Sequence, residues 1–382
     1  MTASSKRASS SATWGLFLRV TAKAALLFVL FNVIFAAIMP LDALGTLSLY
    51  NTLLPGRERL PYGEQPAQSY NLSLYNIPAM MASHTLARPK AADEFRIILI
   101  GDSATWGWFL ENQDTLAGRI NAGRHVTTDG RRVVAYNLGY PIMSLTKDLV
   151  LLNEALRHRP DLILWPVTLE SFPREKQLVH PLLQNNPARV RALIKDYQLN
   201  LDPHDPRFVE PNFLGRNIVG QRRALADWMR LQFYGFSWAA TGIDQAIPAE
   251  IPRNQSDFDP DIQWQSFAQP ARLTKENLAS DVLAAGVKLA GKVPVLIVNE
   301  PIFVGHGKNS QLRYNSFYPR WAYDAYRDLL GTAALENGWR YLDVWDSIAP
   351  DEFTNTPVHL TPKGSAQLAE QVMAALPKVA RP

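Results

Sequence analysis

The 382-residue sequence predicts an α/β domain on a parallel sheet, carried behind an N-terminal membrane-spanning helix. Three observations predict this class. Short apolar runs rich in β-branched residues, such as 97–100 (Ile-Ile-Leu-Ile), stop at glycine or asparagine turns, as strands buried on both faces do. Segments of helical period separate these runs, and that alternation implies right-handed crossovers. A single uncharged apolar stretch, 24–41, follows a basic beginning.

Lys6, Arg7, Arg19 and Lys23 stand in the first 23 residues with no acidic residue among them. The rest of the chain is balanced, 35 basic to 35 acidic, so the basic excess is a targeting feature and not a nucleic-acid surface. Residues 1–23 read as a cytoplasmic basic tail, irregular over 1–13, and 24–44 as a transmembrane signal-anchor helix. At ~1.5 Å per residue the apolar run spans most of a ~30 Å hydrocarbon core. Basic residues before it put the N-terminus in the cytoplasm and the remainder outside. The alternative is a cleaved signal peptide, whose apolar run is usually only ~7–15 residues. The chain has no cysteine, which excludes disulfides and thiolate-bound metal.

Residues 45–94 lack a sustained period and read as a connector packed along the main domain, 95–382. The opening strand ends at Gly101, and Asp102-Ser103-Ala104-Thr105 follow as a tight turn. A helix is expected over 115–122. A second strand, 132–138, ends in Asn137-Leu138-Gly139. A helix over 145–157 then leads to a third strand, 161–167, with Thr168-Leu169-Glu170-Ser171 just beyond. Residues 172–275, rich in Pro, Arg and scattered aromatics, break the rhythm and read as an insertion or cap. The pattern resumes with a helix over 276–290 and a strand over 293–298 that ends in Asn299-Glu300. A helix over 321–335 and a last strand over 340–344 complete the sheet. His359 comes next, immediately before a helix with Thr361 as N-cap and Pro362 at its first position.

In open α/β sheets the carboxyl edge of the strands is where ligands bind. Ser103 is presented at that edge, and His359 is fixed by the helix that follows it. A hydroxyl nucleophile needs an imidazole to take its proton. His180, His204 and nearby carboxylates have no metal-ligand spacing, so no metal is expected. The turn at 101–107 lacks both the lysine of a P-loop and the glycine pattern of a dinucleotide site, so no cofactor is expected.

Gly101-Asp102-Ser103, Asn137-Leu138-Gly139 and His359-Leu-Thr-Pro-Lys-Gly364, in this order at three turns, resemble the blocks of the SGNH/GDSL hydrolase family. The resemblance spans residues ~95–376 apart from the insertion. It implies a flavodoxin-like α/β/α sandwich, with Ser103 as nucleophile, His359 as base, and the Ser103 and Gly139 N–H groups as oxyanion donors. The family's third block, normally Gly-x-Asn-Asp, is replaced here by 168–171. Glu170, if protonated, or Asn299 from the neighbouring turn, beside Glu300, would have to supply the missing donor. The acid normally three residues before the histidine is replaced by Thr356. Asp351 is nearest in sequence, with Asp346, Asp343, Glu300 or a bare Ser-His dyad as alternatives. The implied activity is that of an extracytoplasmic serine esterase or O-acyltransferase acting on acyl (acetyl) esters, with a carbohydrate or cell-envelope polymer as substrate. The alternative is an inactive relative that binds a polysaccharide or a membrane partner.

Overall fold

A computed structural model describes residues 5–376 and 379–380. Among the described residues seven strands form one sheet in the order β6-β5-β4-β1-β3-β2-β7. They are β1 (Glu94–Gly101), β2 (Val126–Thr127), β3 (Arg132–Gly139), β4 (Leu162–Val167), β5 (Val295–Asn299), β6 (Arg340–Asp343) and β7 (Val379–Ala380). The five longer strands are parallel, and in chain order they lie 2-1-3-4-5, the arrangement of a doubly wound sheet. The sheet is nevertheless mixed and not purely parallel. β2 runs antiparallel to β3, and β7 antiparallel to β2. The cause is local: Asp129-Gly130 turns the chain back tightly, with Gly130 at φ +82° and its N–H donating to Thr127 O at 2.9 Å.

Alternate residues of β1 enter different cores, because strand side chains point to opposite faces in turn. Ile98 and Ile100 pack with Leu149, Leu152, Trp165 and Leu283. Ile97 and Leu99 pack with Ile120, Leu164, Leu368 and Val372. Each such side chain, when fully buried, contributes roughly 1.5–3 kcal/mol. Helices Leu145–Ala155, Ser280–Ala290 and Arg320–Glu336 therefore cover one face, and Leu116–Ala122 and Pro362–Ala374 the other. The ends of these helices agree with the sequence pattern to within a few residues.

The segment before β1 is built into the first core, with Leu60, Leu74, Ile77 and Met80 buried there. Residues 168–279 leave the sheet for short turns and the helices Pro187–Tyr197 and Arg222–Thr241. At the N-terminus one helix runs from Ser5 to Ile38, so it begins within the stretch read as irregular. Helix formation propagates readily out of a long nucleus, and Ala, Ser and Arg do not stop it. Its Thr13–Ile38 portion, 26 residues of mean hydropathy 2.1, is long and apolar enough to cross a membrane.

Candidate active site

Gly101 ends β1 at φ +154°, and a Cβ there would lie 2.3 Å from Thr105 Oγ1. Glycine is what allows the chain to turn immediately. Asp102 then caps the one-turn helix Ser103–Trp106, its Oδ1 accepting the Ala104 N–H at 2.7 Å. Ser103 is consequently the first helical residue. Its hydroxyl is half-buried at the sheet edge, and its N–H stands in the first turn, where the helix supplies no acceptor.

His359 arrives from the other end of the chain. Phe353 and Leu360 form an isolated bridge, and Thr354 N–H donates to His359 O at 2.8 Å, which closes a short loop between them. Thr361 caps the helix Pro362–Ala374 by accepting the Gly364 N–H at 3.1 Å. Held between loop and helix, His359 Nε2 lies 2.8 Å from Ser103 Oγ. Its Nδ1 lies 2.9 Å from Asn355 Oδ1. Facing an amide oxygen, Nδ1 carries the ring proton, and Nε2 is left as the acceptor for the serine O–H. The Trp108 ring stacks on the imidazole at 6.0 Å and 19°. Burial pushes the His359 pKa down to about 4, so the ring is neutral at neutral pH and its Nε2 lone pair is open to the serine proton.

The other residues singled out in the sequence are differently placed. Asp351 is exposed, and Asn355 occupies the position opposite the imidazole that Asp351 was expected to fill. The loop geometry decides this: the reversal over 353–360 brings the side chain four residues before the histidine, and not three, alongside its ring. Gly139 N–H is taken by Asn137 Oδ1 at 3.0 Å and is no free oxyanion donor. Its glycine is needed for close approach instead, since a Cβ at 139 would sit 2.4 Å from Trp106 N. Glu170 accepts from Lys176 and from Gln265 at 3.0 Å, so it serves as an acceptor, not a donor. Asn299 is fully buried and spent on structure, donating to Asp343 Oδ1 at 2.8 Å and accepting from Tyr326 OH at 3.0 Å. Asp343 is also held by Arg327 at 2.8 Å, and Asp346 is exposed.

Glu300 belongs to a buried ionic layer beneath the turn that carries Ser103. Lys147, wholly buried, donates to Gly101 O at 2.7 Å and Tyr140 O at 2.6 Å, and pairs with Asp148 at 2.7 Å. It thus ties the ends of β1 and β3 together directly under Ser103. Desolvation, followed by the charges of Asp102 and Asp148, raises the Glu300 pKa well above the ordinary carboxylate range, against the opposing pull of Lys147. Burial likewise raises Asp102 and Asp148. Glu300 Oε1 and Thr105 Oγ1 have no hydrogen-bond partner among the described residues, and both residues line a pocket of about 20 Å³ behind the 101–105 turn. Neither Lys147 nor Asn355 gave a sequence signal: the first lies in a helix buried almost all round, and the second in a loop.

A groove of about 390 Å³ adjoins the pair, lined by Tyr62, Glu64, Gln68, Trp108, Gln245 and Ile247 among others. That volume lies within the ~300–1,000 Å³ usual for small-molecule sites. Arg59 and Gln245 hold its floor, each donating to the carbonyls of Gly107 and Leu110 at 2.7–2.9 Å.

No protein-family model matches the sequence, and no curated protein matches it. Among solved structures the chain is similar to an α/β hydrolase enzyme from the metagenome of Lake Arreo, Spain, at 16% identity and a TM-score of 0.34, covering 75% of this chain and 95% of that one. It is also similar to a carbohydrate acetylesterase from Sinorhizobium meliloti, at 12% identity and 0.30, covering 74% and 99%. The aryl esterase of M. smegmatis matches at 13% identity and 0.30, with the same coverage. Likenesses this loose leave the chemistry to the geometry of the site itself.

Proposed function

We propose that the protein is a serine esterase or O-acyltransferase that works through a Ser103 acyl-enzyme. The observation that carries this reading is the 2.8 Å contact between Ser103 Oγ and a neutral His359 Nε2 whose other nitrogen is fixed by Asn355. In the proposed reaction Oγ attacks an ester carbonyl while its proton passes to Nε2, and the resulting oxyanion forms beside the Ser103 N–H at the helix start. Collapse breaks the bond to the leaving alcohol, which takes the proton back from Nε2. Water or an acceptor hydroxyl then attacks the acyl-serine by the same route in reverse. Hydrolysis and transfer differ only in that second nucleophile.

The aromatic faces of Trp108 and Tyr62 beside Gln68 and Glu64 suit a substrate that offers both ring faces and hydroxyls, and an acetylated carbohydrate or cell-envelope polymer does so. The basic residues Lys6, Arg7, Arg19 and Lys23, all in the first part of the N-terminal helix, support a cytoplasmic N-terminus and an extracytoplasmic domain. The test is turnover of an acetyl ester by the full chain in detergent. Acetate release is expected from the wild type, and Ser103→Ala and His359→Ala should lower it at least 10²-fold, the ordinary contribution of a general base. Wild-type release no faster than that of Ser103→Ala would overturn the proposal.

A second reading, a binding protein that uses the same groove without catalysis, is favoured by two observations. Asn355 supplies no negative charge, and the Gly139 N–H is engaged by Asn137. It predicts ligand binding that is indifferent to Ser103→Ala.

A further inference from the structure

We propose that residues 213–241 form a second membrane-contacting element, lying on the lipid surface beside the N-terminal helix. The face of helix Arg222–Thr241 turned away from the domain is the wrong kind for water. At ~100° per residue Arg222, Ala226, Met229, Phe233, Phe236 and Ala240 share one stripe, apolar except for its first member. Phe233 is 64% exposed and Met229 51%, whereas Leu231, Gly235 and Trp238 are buried on the opposite side. A helix packed on a soluble domain normally turns charged or polar residues outward. Just before this helix, Phe213 and Leu214 are also exposed, Leu214 at 73%.

The occupant is identified by what this element is fastened to. Val219 N–H donates to Asn32 Oδ1 at 3.4 Å, and Asn32 lies within the apolar helix, about 9 Å from its end at Ile38 at ~1.5 Å per residue. Gln232, on the inner side of helix Arg222–Thr241, accepts from Leu49 N–H at 2.8 Å and so grips the chain soon after it leaves the N-terminal helix. Leu47 and Leu49 are themselves exposed. Two attachments therefore hold the apolar stripe at the level where the N-terminal helix leaves the hydrocarbon. Interfacial helices bury their apolar face ~5–10 Å into the headgroup boundary, which matches the depth of the Asn32 contact. Arg216, Arg222, Arg223 and Arg230 stand against a single acidic residue, Asp227, in this segment, and that excess suits anionic headgroups. The same element runs on through Asp244 and Gln245 into the wall of the groove, so it sets how the groove faces the lipid.

The absence of cysteine makes the test direct. Single Leu214→Cys and Phe233→Cys variants of the full chain carry a nitroxide label in nanodiscs of phosphatidylcholine and phosphatidylglycerol, and relaxation by oxygen is compared with relaxation by a water-soluble nickel chelate. Phe31→Cys reports the N-terminal helix, and Glu370→Cys, exposed on a helix of the other sheet face, reports water. Labels at 214 and 233 are expected to resemble 31, accessible to oxygen and shielded from nickel, with the ratio inverted at 370. Labels at 214 and 233 that read like 370, while 31 reads lipid, would overturn the proposal. A label at 31 that also reads water overturns it together with the membrane-spanning reading of the helix. Neither result bears on the Ser103 chemistry.

Discussion

With an amide instead of a carboxylate at Nδ1, His359 keeps the tautomer a base requires but lacks the charge that would stabilise its protonated form. The same substitution of roles occurs in the Cys-His-Asn arrangement of papain-like proteases. Burial depresses the His359 pKa to about 4, so the imidazole is neutral at any pH above that value and protonated below it. The acid limb of kcat/KM is accordingly expected near pH 4. Asn355→Asp places a negative charge on the ring, which favours the imidazolium, raises the pKa and moves that limb to higher pH. A pH–rate profile for both proteins checks this, and identical limbs would contradict the role given to Asn355. The sequence offered no route to this residue. Ser103 and His359 are marked by local punctuation, a strand that ends in glycine and a Thr-Pro helix start, whereas Asn355 gains its place only from the way the 353–360 loop reverses.

At the scale of the element, the ends of β1, β3 and β5 meet over a layer of one lysine and three carboxylates. Lys147 cannot balance all three, and burial strongly disfavours the anion at Glu300, whose Oε1 has no hydrogen-bond partner among the described residues. Its folded pKa lies above its unfolded value, so its contribution to stability is complete below about pH 4.5 and declines as pH rises toward the folded value. Glu300→Gln stays neutral throughout. Thermal unfolding is therefore expected to give equal midpoints near pH 4 and a growing advantage for the variant toward pH 8. A difference that does not depend on pH would show that Glu300 is not the strained group. The strands of this edge were legible because each centres on a short apolar run that stops at a turn. β2 and β7 were not, since two-residue strands carry no period of their own.

Across the whole molecule, the groove is assembled from segments far apart in sequence. Arg59 of the connector pairs with Asp244 of the insertion inside the protein, and Arg59 also donates to the loop that follows Ser103. Residues 45–94, which show no periodicity, thus contribute to core and site alike, and neither contribution can be read from local pattern. Asp244→Ala leaves the Arg59 guanidinium buried without its partner, at a cost of about 3–5 kcal/mol. Because Ser103 and His359 are held by other elements, KM should rise more than kcat falls. Loss of kcat alone would contradict this division between the groove and the Ser103–His359 pair.

In the proposed reaction Ser103 is a nucleophile made reactive by His359, and covalent labelling by a fluorophosphonate reads that reactivity at the serine itself. Peptide mass analysis of the treated full-length protein is expected to find the adduct on Ser103, with the labelling rate falling sharply in His359→Ala. A folded protein that carries no adduct at Ser103, or one labelled equally fast without the imidazole, would contradict the account.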